Sequence, residues 1–154
     1  MSILTLLNTE ELRDNILEKY SKLKETAEKD GIYMDVNVYF AKGTPNNREG
    51  TFVFADKCGY HFVYTERGAE RRHKITYDLF EISYWIFEDM IFMMASKFEL
   101  ENRIDNQDFR RILFSKEVEL FNAIGANFRK RCEIAIDEIL QIAPYDDNMG
   151  RKND

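Results

Sequence analysis

Thr51-Phe52-Val53-Phe54-Ala55, Asp56-Lys57-Cys58-Gly59, Tyr60-His61-Phe62-Val63-Tyr64-Thr65 and Glu66-Arg67-Gly68 follow one another without a break, and their reading decides the fold. Two short segments rich in β-branched and aromatic residues flank a polar connection of hairpin length. Glu66-Arg67-Gly68 then reads as an exposed charged turn in which Gly68 supplies a positive φ. Arg71 to Tyr77 leaves open a fourth, more polar strand. Short links between neighbouring strands favour an antiparallel meander.

Upstream, Leu12, Ile16, Tyr20, Leu23 and Ala27 recur at helical spacing from about Thr9 to Lys29. Asn8 with Glu11 makes a capping box, and Gly31 is placed to end the helix. From Met34 to Phe40 the period changes to two, with Met34, Val36, Val38 and Phe40 on one side, so a strand with one face on a core is expected. The polar segment Lys42 to Gly50, with Gly43, Pro45, Asn46 and Asn47, reads as a loop.

Downstream, Asp78 and Glu81 repeat the capping signature before the most apolar region of the chain, Leu79 to Phe98. At about 100° per residue Glu81, Glu88, Asp89, Ser96 and Glu99 fall on one stripe, and the rest of the circumference is apolar. Glu81, Glu88, Asp89 and Lys97 interrupt the region, and charges at mid-span oppose membrane insertion, so it reads as a core helix. Ile104 to Asp108 is a polar break. Phe109, Leu113, Leu120, Phe121 and Ile124 trace a third helix stopped by Gly125, and Phe128, Cys132, Ala135, Ile139 and Ile142 a fourth ended by Pro144.

The expected class is therefore α+β: an N-terminal helix, a three- to four-stranded antiparallel meander, then three C-terminal helices, with the central apolar helix packed on the sheet. Residues 1–145 are expected to form a single α+β domain and residues 146–154 a polar, frayed tail.

Composition narrows the function classes. At 154 residues, 44% hydrophobic, the chain can bury a sizeable core. A net charge of −6 opposes non-specific nucleic-acid binding and suits a basic protein partner. The apolar N-terminus lacks a basic leader before Glu10-Glu11, and a cytoplasmic location is expected. Cys58 and Cys132 form neither a close pair nor a metal-ligand spacing, and two reduced thiols are expected.

No nucleophile elbow, phosphate loop or metal-ligand spacing is present, and neither cofactor nor metal is expected. His61 and His73 are the only histidines. With carboxylates such as Glu66 or Glu70 they leave open a small hydrolase or metal-dependent enzyme, while an aromatic helix that reached the surface would suit an oligomeric or regulatory protein. Arg110-Arg111 and Arg129-Lys130-Arg131 read as the basic clusters of the chain, both as solvated helix faces.

Three segments carry a resemblance: Tyr60 through Gly68, Glu81-Ile82-Ser83-Tyr84-Trp85-Ile86-Phe87-Glu88, and on through Ala95 to Asn106-Gln107-Asp108-Phe109-Arg110-Arg111. Over roughly residues 55 to 145 the chain resembles immunity protein family 63, small bacterial proteins associated with polymorphic toxin systems. The resemblance implies a non-enzymatic, cytoplasmic antidote, a monomer or weak dimer, that binds one cognate toxin domain. The toxin would meet the sheet edge, the turn and the acidic stripe; Tyr64, Glu66, Arg67, Glu81, Glu88 and Asp89 are the expected contacts.

Overall fold

In the computed structural model, residues 5–43 and 49–148 are described. The elements follow the order α1 (Thr9–Lys29), β1 (Val38–Tyr39), β2 (Gly50–Asp56), β3 (Gly59–Glu66), β4 (Ala69–Thr76), α2 (Leu79–Glu101), α3 (Arg110–Ile124) and α4 (Ala126–Ile142). This is the α+β order expected, with four strands. Both cysteines are free thiols, and no helix among the described residues is long and apolar enough to cross a membrane.

Local chemistry sets the helix ends. Asn8 Oδ1 accepts the Glu11 N–H at 2.8 Å and Glu11 Oε1 accepts the Asn8 N–H at 2.9 Å, a complete capping box. At the other end Gly31 takes φ 73°, its N–H reaches Glu28 O, and Ile32 N–H reaches Ala27 O. That is a Schellman closure with the C″ residue, Ile32, buried. For α2, Asp78 Oδ1 caps the Phe80 N–H, and the Asp78 N–H goes to Thr76 Oγ1.

The strands form one sheet in the order β1-β2-β3-β4. The antiparallel meander holds for β2, β3 and β4, but β1 joins parallel to β2 through only Val38 and Tyr39. A parallel neighbour needs a connection that carries the chain back to the same end, and the stretch from Phe40 to Glu49 is long enough to do so, unlike the two hairpin turns. The period-two burial from Met34 to Phe40 is present, though the ladder covers only its last part. The expected loop residues 44–48 lie outside the described residues.

The chain divides into two compact units that share α1 and α2: residues 1–20 with 35–90, and residues 21–34 with 91–154. In the first unit the initial residues of β3 are buried on both faces. Phe62 meets Trp85 of α2 edge-on, with centroids 6.2 Å apart, and the Tyr60 hydroxyl accepts the Leu7 N–H on the same face. On the opposite face Phe52, Phe54 and Val63 form a second buried cluster, with Tyr39 stacked on Phe52 at 5.2 Å. An inner strand between two apolar layers has no solvent face to mark with polar residues.

In the second unit the core draws on Leu23, Ala27 and Ile32, on Ile91, Met94 and Ala95, and on Leu113, Leu120, Phe121 and Phe128. Lys116 is buried here. It bonds Asp30 and Glu119 and lies over the Phe98 ring at 4.2 Å. Burial by itself would lower its pKa, but the two carboxylates more than offset it and hold the ammonium above its ordinary range.

Two glycines carry different loads. Gly59 has φ 125°, and a Cβ there would come within 2.8 Å of the Thr76 carbonyl oxygen, whereas at Gly68 (φ 75°) it would meet nothing within 4 Å. Gly59→Ala should cost roughly 2–3 kcal/mol and Gly68→Ala about 1 kcal/mol in urea unfolding.

Candidate functional site

The residues expected to contact a partner all fall in the first unit, on two elements. Arg67 (φ 53°) and Gly68 (φ 75°) are both left-handed, the conformation of a two-residue turn whose twist matches its strands. Glu49 Oε1 accepts the Arg67 N–H at 3.0 Å and steadies the turn. Glu66 is half-buried opposite Ala69, and Tyr64, 37% exposed, lies opposite Arg72. On α2, Glu88 and Asp89 are exposed and Glu81 is half-buried.

Lys74 of β4 links these elements. Its ammonium stands 4.3 Å from the Trp85 ring centroid and 5.1 Å from that of Phe62. Burial lowers its pKa, with Arg72 adding to the effect, while Glu88, Asp89 and Glu81 push the other way. The α2 carboxylates therefore already share the field of a cation from their own chain.

The histidines converge. His61 Nε2 lies 2.8 Å from Asp56 Oδ1, His61 Nδ1 lies 2.9 Å from His73 Nε2, and His73 Nδ1 lies 3.4 Å from Glu70 Oε2. The His61 bond, helped by the Cys58 N–H, holds the Asp56 carboxyl below its ordinary range. His61 is 6% exposed and stacks on Phe54 at 4.3 Å, with both ring nitrogens engaged. Such a ring has no lone pair left for a substrate, and the chain of bonds ties β2, β3 and β4 together. No group of three or more His, Cys, Asp and Glu among the described residues is arranged to hold a metal ion.

Three features differ from the sequence reading. Arg71-Arg72-His73-Lys74, contiguous in the sequence, is a further basic run, and it lies on β4. Glu99, placed on the exposed stripe, is 3% exposed and paired to Arg103 at 2.6 Å. Phe92 lies within that stripe by angle and is 52% exposed. With Ser96, Glu99, Leu100, Arg103, Phe109 and Leu113 it lines a groove of about 220 Å³ in the second unit.

Arg110 is not a solvated helix residue. Asp108, fully buried, accepts its guanidinium at 2.8 Å and also takes the N–H groups of Arg110 and Asp146. Arg110 donates further to the carbonyls of Ala143 and Pro144, and Arg111 pairs with Asp147. These bonds hold the residues after α4, including the first two of the polar tail; residues 149–154 lie outside the described residues. The Asp108 to Arg111 stretch is therefore a clamp at the start of α3.

The family described as immunity protein 63 matches residues 56–138, from the β2–β3 turn into α4, more than half of the chain, and the chain belongs to it. No curated protein and no solved structure matches it.

The Arg110 bond holds the Asp108 carboxyl far below its ordinary range, against burial that would raise it. Asp108 thus gives its full stabilisation above about pH 4 and loses it as pH falls further toward the folded-state pKa. Urea midpoints followed from about pH 7 to about pH 3 should drop more steeply for wild type than for Asp108→Asn. Asp108→Ala, which strands a buried guanidinium, should cost roughly 3–5 kcal/mol.

Proposed function

We propose, from membership of the immunity protein 63 family, that this chain binds one cognate bacterial toxin domain and neutralises it without chemistry of its own. The observation that carries the reading is the span of the family match: it covers β3, β4, the turn between them and α2, which bear the exposed side chains of Arg67, Glu88 and Asp89. Tyr64, Glu66 and Arg67 on the hairpin and Glu81, Glu88 and Asp89 on α2 form the contact set. Exposed carboxylates in a chain of net charge −6 steer a basic surface and reject an acidic one, affecting association rate and specificity more than raw affinity. The partner is met in the cytoplasm, by a monomer or weak dimer.

The convergence of His61, His73, Asp56 and Glu70 is the one observation that would favour an enzyme instead. The saturation of His61 weighs against it. His73, the more exposed ring, separates the two readings: His73→Ala should retain full protection against the toxin, whereas loss of protection by a folded variant that still binds would favour chemistry.

The direct test is co-expression with the toxin domain encoded beside this gene. Growth should be rescued by wild type. Glu88→Lys should slow association by roughly tenfold at low salt, with a smaller effect as salt rises and no change in melting temperature. Failure of wild type to rescue growth or to form a complex would overturn the reading.

A further inference from the structure

The two edges of the sheet are finished differently. On the β2 side, β1 pairs with Thr51 and Phe52, and further along Thr9 Oγ1 accepts the Ala55 N–H at 3.0 Å and donates to the Ala55 carbonyl at 3.5 Å. A side chain there takes the place of a pairing strand. On the β4 side the sheet simply ends. Residues 69–73 and Ile75 are exposed, and among the described residues the backbone of 69–75 makes no hydrogen bond outside its pairing with β3. The pairing with β3 shifts register between Tyr64 and Thr65, so that Arg71 has no partner across it; on either side of Arg71 the free N–H and C=O groups are a template for another strand.

The side chains on that edge say what kind of strand. Arg71 and Arg72 share the edge with a single carboxylate, Glu70, which faces His73, whereas Lys74 is turned to the carboxylates of α2. Among the described residues Arg71 and Arg72 have no hydrogen-bond or ion-pair partner, whereas Arg13, Arg103, Arg110, Arg111 and Arg129 each have a carboxylate. In a chain with six more acidic than basic residues, two adjacent guanidiniums left without a counter-charge on an open edge are a selective feature. A second copy of this chain would set cation against cation across the new pair, which is unfavourable; an acidic strand would set carboxylate against guanidinium. Ile75, 49% exposed, and Tyr77, 61% exposed, offer apolar anchorage at the end of the same strand.

We propose that β4 is a docking edge for an extended acidic segment of the toxin domain, which adds to the sheet as a fifth strand. Main-chain bonds supply the register, and Arg71 and Arg72 select the charge. This rests on the toxin-binding reading above and names the contact by which it acts. It also divides the surface: β4 takes an acidic segment, while Glu88 and Asp89 meet basic groups.

The test uses the full chain and the toxin domain encoded beside its gene, made as an inactive variant. Backbone amide exchange over residues 69–76 should slow on complex formation. Arg71→Glu with Arg72→Glu, both at exposed positions, should raise the Kd at least tenfold while circular dichroism and melting temperature stay at wild-type values. If wild type forms no complex, the toxin-binding reading fails and takes the docking edge with it. If wild type binds but the double variant binds equally well and the β4 amides exchange unchanged, the docking edge alone is overturned. A wild-type homodimer with protected β4 amides would overturn the choice of occupant.

Discussion

The rest of the structure depends on the covering of α2. Its 23 residues carry few charges, and Ile82, Ile86, Phe87, Met90, Ile91, Met94 and Ala95 are almost fully buried. A fully buried large apolar side chain gains roughly 1.5–3 kcal/mol over an exposed one, so leaving these side chains of the helix uncovered would cost an amount comparable to a domain's whole net stability. Its first half is therefore covered within the sheet-bearing unit, through contacts such as Phe62 with Trp85, and its second half within the helical unit. Glu88, Asp89, Phe92, Met93 and Leu100 stay exposed along the helix.

The same demand explains the buried charges. Packing helices around an apolar core leaves chain ends and corners whose polar groups must be satisfied, and charge pairs do this with direction as well as energy. Asp108 satisfies backbone donors at the start of α3 and after α4 together with a guanidinium. Lys116 brings carboxylates of two segments together beside an aromatic ring. Removal of one partner from such a set leaves a charge without water or counter-charge, so the Asp108 to Arg111 stretch acts as scaffold in the fold.

Legibility followed the range of the interaction. The capping box of Asn8 and Glu11 and the closure at Gly31 are local, and both could be read from spacing. The β2–β3 hairpin was equally readable because its turn is short, whereas β4, exposed along most of its length, left the strand count at three or four. The parallel docking of β1 was not: it depends on the path of a longer connection, which leaves no periodic mark. Glu99 was misplaced because a helical wheel assumes that one face stays open, whereas its partner Arg103 lies one turn on and lets the carboxylate be buried. The pairing of Arg110 and the convergence of His61 and His73 required the tertiary fold.

Charge on the first unit is patterned rather than uniform, and Lys74 shows why this matters. Its ammonium is held on Trp85 and Phe62, inside the field of Glu81, Glu88 and Asp89, so part of the acidic face is balanced internally. Arg71 and Arg72, one step outward, have no such counter-charge, and Glu88 and Asp89 remain exposed on the helix. A partner complementary to only one sign would leave the other sign facing a like charge or stripped of water, and either outcome costs affinity. In the proposed complex, specificity would need no large contact area: it would arise from two oppositely charged elements, a strand edge and a helix face, that a wrong partner cannot satisfy together.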